Sequence, residues 1–184
     1  MEIVKQYPLI EQILTPWQGA IGATYVGYRG HVYRMFNCCL ALVNQSPRPC
    51  SDDDLRKLAI AAAFHDLGLW SDQTVDYLPP SVERARQWLA ENDLSDWSEE
   101  IGLMIAMHHK LRPYRDPRFP LVELFRKADL VDFSLGLFRG GLPSGFVKQL
   151  KAEIPNAGFH RFLLAGAKDW FLRHPFSPPP FMKW

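Results

Sequence analysis

Charge of either sign is in short surplus here: 21 lysines and arginines stand against 20 aspartates and glutamates, a formal net charge of +1 at pH 7. That balance offers no bulk attraction to a nucleic acid polymer or an anionic membrane, so anion recognition has to come from a local cluster. Long apolar runs are also missing, and nothing approaches the roughly 20 residues that cross a bilayer. The opening residues, Met1-Glu2-Ile3-Val4-Lys5-Gln6, lack the basic and then apolar pattern of a signal peptide. Cysteine is scarce: Cys38, Cys39 and Cys50 are odd in number and form no Cys-x-x-Cys pair. Cys38 and Cys39 lie in an apolar helical run and read as small buried hydrophobes, which suits a reducing cytoplasm. Strand-like alternation and Asn-Gly or Asp-Gly turns are absent. The expectation is a cytoplasmic protein without a membrane or nucleic acid partner.

What is present is helical periodicity in a chain of 184 residues, 47% apolar and 22% charged, long enough to bury a core without staples. Thr15-Pro16 reads as a cap with proline at the first helical position. A helix is expected over about residues 24–44, where Gly27 and Gly30 weaken the helix but would admit a close neighbour. Ser51 should cap the next, with Asp54 in a capping-box position and Gly68 as the stop after Leu67. Further helices are expected from Pro80 or Ser81 to Asn92, from Ser95 or Ser98 to Lys110, and from Phe119 to Ser134. Two shorter ones should cover Ser144–Glu153 and Ala157–Arg173. The fold class is all-α, a bundle of about seven or eight helices. One domain is expected over residues 1–174, followed by a proline-rich tail over 175–184 that lies extended on the surface. Within that tail, Phe181 and Trp184 could serve a partner.

Four positions carry chemistry: His31, the adjacent pair His65-Asp66, and Asp129. Imidazole and carboxylate hold hydrolytic divalent metals, and each residue sits in a helical stretch. The run Ala59-Ile60-Ala61-Ala62-Ala63-Phe64 leads straight into the pair. A buried carboxylate beside a buried imidazole is unfavourable unless a metal or counter-charge satisfies it. A mixed nitrogen and oxygen set suits manganese, iron, cobalt, nickel, zinc or magnesium with open water positions, not a closed cysteine-rich zinc site. Each residue also has a plain reading: Asp129 could simply pair with Arg126, and Asp132 reads better as a structural carboxylate than as a site residue.

The order His … His-Asp … Asp resembles the HD superfamily of metal-dependent phosphohydrolases. The resemblance covers roughly residues 20–135. It rests on Tyr28-Arg29-Gly30-His31, Phe64-His65-Asp66-Leu67-Gly68, Lys127-Ala128-Asp129-Leu130 and the helix Ile101-Gly102-Leu103-Met104-Ile105-Ala106-Met107-His108-His109-Lys110. It implies that His31, His65, Asp66 and Asp129 coordinate one divalent metal per chain, and that a phosphoester of a small molecule, nucleotides included, is hydrolysed by metal-activated water. Asp66 would also hold that water. His108 and His109 would contact phosphate, protonate the leaving group or hold a second, weaker ion. Arg34, Lys110, Arg112 and Arg115 are candidates to neutralise phosphate. Residues 67–107 contain no histidine, so the six-ligand set of the superfamily's two-metal members is one short. The alternatives are a di-iron oxygenase of the same superfamily, and a catalytically silent ligand-sensing or interaction domain. A homodimer stays open.

Overall fold

The computed structural model describes residues 2–182. Helices α1 (Pro8–Leu14), α2 (Gln18–Ile21), α3 (Tyr25–Gln45), α4 (Asp52–Phe64) and α5 (Gly68–Ser71) are followed by α6 (Leu78–Glu91), α7 (Ser98–Met107), α8 (Pro120–Phe133), α9 (Ser144–Glu153) and α10 (Phe159–Arg173). Two of these, α2 and α5, are single turns of four residues, and seven helices have ten residues or more. Among the described residues there is no β-strand, so the fold is an all-α bundle. No helix there is long and apolar enough to cross a membrane.

Helix α3 is the axis of the bundle. It is buried along most of its 21 residues and packs against α8, α4 and α9. Helix α4 crosses it with an unbroken buried stretch from Leu58 to Phe64. A helix apolar on every side must sit inside, and the four alanines of that stretch keep it thin enough to fit among α1, α3, α6, α7 and α8. Its start is the expected capping box: Ser51 Oγ accepts from the Asp54 N–H at 3.1 Å, and Asp54 Oδ2 accepts from the Ser51 N–H at 3.0 Å. Cys38 and Cys39 are free and buried, as the apolar run predicts.

Two helix ends differ from expectation in a way that builds the site. Helix α4 stops at Phe64 and α7 at Met107, which leaves His65-Asp66 and His108-His109 in the turns just beyond. The last carbonyls of a helix have no partner within it. Here an imidazole takes one at each end: His65 Nδ1 donates to Ala62 O at 2.8 Å, and His108 Nδ1 donates to Ile105 O at 2.7 Å. Gly68 is not a left-handed stop. It opens α5, and a Cβ there would overlap the Tyr77 carbonyl and crowd Pro80 and Ser81. Close approach is therefore what requires glycine at that position. Gly30 answers to the same reason, since a Cβ would press on the Arg34 guanidinium and the Pro155 carbonyl.

The segment after α10 is the clearest correction. Instead of lying extended, it turns twice, through Ser177 N–H to His174 O and Met182 N–H to Pro179 O, and Trp170 Nε1 donates to Ser177 O at 3.0 Å. Pro179 is buried, and the Phe181 ring sits 5.4 Å from Tyr77 and 5.2 Å from His109. Ring packing outweighs the preference of proline-rich sequence for a solvated, extended path. Trp184 lies outside the described residues.

Candidate metal centre

Helices α3 and α8 and the turns after α4 and α7 converge on one polar cluster inside the apolar core. His31, from the middle of α3, is 2% exposed, His65 is fully buried, and Asp66, His108 and Asp129 are buried with them. The ring orientations follow from the outer hydrogen bonds. His31 Nδ1 donates to Asp132 Oδ2 at 2.7 Å, while His65 and His108 donate Nδ1–H to the carbonyls that end their helices. Carboxylate and carbonyl oxygens only accept, so each ring carries a proton on Nδ1 and turns its Nε2 to the interior. This is how the outer partner of a metal-binding histidine fixes its tautomer.

Two of those Nε2 atoms meet. His31 Nε2 and His65 Nε2 are 2.9 Å apart, and two acceptors at that distance repel unless a proton or a cation lies with them. Asp66 Oδ2 is 3.3 Å from His65 Nε2 and 3.7 Å from His31 Nε2. On the other side, Asp66 Oδ1 and His108 Nε2 are 3.4 Å apart, and each is buried without a hydrogen-bond partner. Buried polar atoms left unpaired are rare and unfavourable. Donor atoms of His31, His65 and Asp66 lie within 4.8 Å of one another, as do those of Asp66, His108 and His109. Asp66 belongs to both sets, with one oxygen toward each. Asp129 borders them: its Oδ1 is 3.5 Å from His31 Nε2 and its Oδ2 is 3.7 Å from His109 Nδ1. The residues present thus fit a divalent cation, in donor chemistry and in the orphaned atoms that one would satisfy.

The electrostatics point the same way. Burial pushes the Asp66 carboxyl up, but His65 and His108 beside it hold it well below the usual carboxylate range. Burial lowers the His65 imidazole, yet the Asp66 charge and contact overcome it and raise it to about 9. The pocket therefore prefers a positive charge where these atoms meet. Burial raises Asp129 despite the histidines around it. His109 is held well below its ordinary value, by burial first and by His108 second.

Each expected site residue now has a place. His31, His65 and Asp66 come together, Asp129 stands at their edge, and His108 and His109 both face the cluster. Arg34 does not. It is 1% exposed, its Nε and Nη2 bind the two Asp132 oxygens at 2.6 and 2.9 Å, and its Nη1 donates to Pro155 O at 2.9 Å. One helical turn brings it near His31, but its length carries the guanidinium past the site to the loop before α10. Arg112 and Arg115 are exposed on the loop after α7 and do not line the cavity beside the cluster, whereas Lys110 does. Asp132 is a structural carboxylate that also orients a site residue: it holds His31 and neutralises Arg34 together, with its own carboxyl held below the ordinary range by both against the effect of burial.

Sequence reasoning missed two neighbours. Tyr77 and His109 share a 2.6 Å hydrogen bond between Oη and Nε2; when His109 donates it, Nδ1 is left as a ligand atom. Phe159 stacks on His31, with centroids 4.4 Å apart and planes inclined by 17°. Neither residue sits in a motif. Tyr77 lies in a loop and Phe159 at a helix start, so no periodicity announces them. Set against family models, curated proteins and solved structures, the chain matches none.

Proposed function

We propose that this chain is a metal-dependent phosphohydrolase of the HD type, acting on a phosphoester of a small molecule. One observation carries the reading: three imidazoles, each with its Nδ1 proton held from outside, turn Nε2 toward a shared carboxylate in a buried cluster. His31, His65 and Asp66, bordered by Asp129, would hold the cation, and Asp66, His108 and His109 offer a second position that shares Asp66. A bound divalent cation supplies Lewis acidity, acidifying water and polarising a phosphoryl oxygen. The chain supplies the rest. Asp66 accepts a hydrogen bond from the attacking water through whichever oxygen is not ligating. His108, whose Nε2 has no hydrogen-bond partner, takes the proton from that water and hands it to the departing oxygen, and both it and His109 line the cavity by which substrate arrives. Lys110 lies on the same wall and adds positive charge near the phosphate.

The sharing of Asp66 between two sets also favours a second reading, in which two irons bind and the site is an oxygenase. Metal stoichiometry after anaerobic iron loading separates the two, since the oxygenase requires two irons per chain. The main test is a screen of phosphomonoesters with manganese, cobalt, nickel, zinc and magnesium. Turnover and metal binding should both vanish in His65→Ala and in Asp66→Ala. Turnover that persists in a metal-free double variant would refute the assignment.

A further inference from the structure

One cavity opens directly onto the cluster. It holds about 150 Å3 and is lined at its inner end by His108, His109 and Asp129. Lys110 and Arg126 add two basic groups, the second engaged by Glu123 Oε2 at 2.8 Å. The rest of the wall is apolar: Leu111, Leu130, Phe133, Phe181 and Met182. An anionic group would sit at the inner end, and whatever is attached to it would extend between carbon surfaces. Size then limits the choice. A cavity of about 150 Å3 accommodates a benzene-sized guest, whereas pockets for drug-sized ligands begin at about 300 Å3. Two of the limiting walls, Phe181 and Met182, come from the segment after α10, folded back by the turns at Ser177 and Met182 and seated against Tyr77 and His109.

We propose that this cavity is the leaving-group subsite, that it takes a single apolar ring or a short alkyl chain of a phosphate monoester, and that Phe181 and Met182 set its size limit. A nucleoside exceeds that volume. The proposal rests on the phosphohydrolase reading for the bound cation and for naming the anion as a phosphate ester. It needs no turnover to be tested.

The test is calorimetric binding of methyl-, phenyl- and 1-naphthylphosphonate to the manganese-loaded protein, since phosphonates are not cleaved. Phenylphosphonate should bind about tenfold tighter than methylphosphonate because the ring leaves water. Naphthylphosphonate should bind no better than the methyl compound. Phe181→Ala should admit the naphthyl ring, improving its binding by about tenfold. Met182→Trp, which fills the cavity from a position needed by no helix, should erase the phenyl preference. Equal affinities for methyl and phenyl compounds, no phosphonate bound at all, or selectivity unmoved by both variants would overturn the subsite. A phenyl preference without hydrolysis of phenyl phosphate would keep the subsite and reject the hydrolase reading. Hydrolysis without size selectivity would do the reverse.

Discussion

Two buried polar clusters lie side by side in this core and share one histidine. In the first, Arg34, Asp132 and the carbonyls of Ile154 and Pro155 satisfy one another, and His31 Nδ1 completes the set. In the second, His31 Nε2, His65 Nε2, Asp66 and His108 Nε2 crowd together with two atoms left unpaired. Arg34 and Asp132 are buried as the residues of the second cluster are, and the residue types overlap. The difference is saturation: the first cluster is completed by the chain itself, whereas the second leaves Asp66 Oδ1 and His108 Nε2 without a hydrogen-bond partner. The first also holds the second in place, because Asp132 keeps His31 turned so that its other nitrogen faces inward.

The widest contrast between the two should appear in stability. Asp132→Ala strands a buried guanidinium that cannot shed its proton, and should destabilise the protein by about 3–5 kcal/mol in urea unfolding at neutral pH. Asp66→Asn also removes a buried charge, but its partner His65 can deprotonate. The metal-free variant should therefore stay within about 1 kcal/mol of the parent. Equal losses in the two variants would show that the clusters do not differ in saturation.

A subtler change at the same carboxylate sharpens the link between the clusters. Asp132→Asn keeps the size of the side chain but weakens its hold on His31 Nδ1, and should reduce metal affinity by about 10–100-fold. Calorimetric titration with manganese reads this directly, and unaltered affinity would show that the two clusters act independently.

Away from the centre, Ser51→Ala removes one half of the α4 capping box and should cost about 1 kcal/mol of stability, with metal affinity unchanged. The smallest effect is expected at Glu11. Burial pushes its carboxyl up, but hydrogen bonds from Arg29 and Tyr33 more than compensate and hold it below its ordinary 4.5. A carboxyl depressed by folding contributes stability above its unfolded value and loses it as pH falls through the folded value. Thermal stability should decline as pH drops below about 4.5, and Arg29→Ala should flatten that decline. An identical acid profile in the variant would show that the pair contributes nothing.

Much of the fold was legible because local rules and burial agreed. Ser51 and Asp54 announce the start of α4, and the alanine run announces that it is buried. Breaks at Gly140, Gly141 and Pro143 separate α8 from α9. His31, His65 and Asp66 were legible as a set because imidazole and carboxylate in apolar helical runs need a reason to be there. Arg34 was misplaced because spacing along a helix gives the direction of a side chain but not how far a guanidinium reaches. The segment holding Phe181 was misplaced because its composition speaks for solvation, while its position depends on rings contributed by Tyr77 and His109, more than seventy residues back in sequence.

By itself, then, the sequence determined the longer helices, the Ser51 cap and the residue types able to hold a cation, because periodicity, capping and the penalty for burying charge act locally, while the caps expected at Thr15 and at Ser95 or Ser98 do not form. Only the tertiary structure decided which nitrogen of each histidine faces inward, that Asp132 rather than solvent orients His31, and that a proline-rich segment closes over the site. Those outcomes depend on acceptors and rings brought in from distant parts of the chain, and no local pattern encodes which distant partner will arrive.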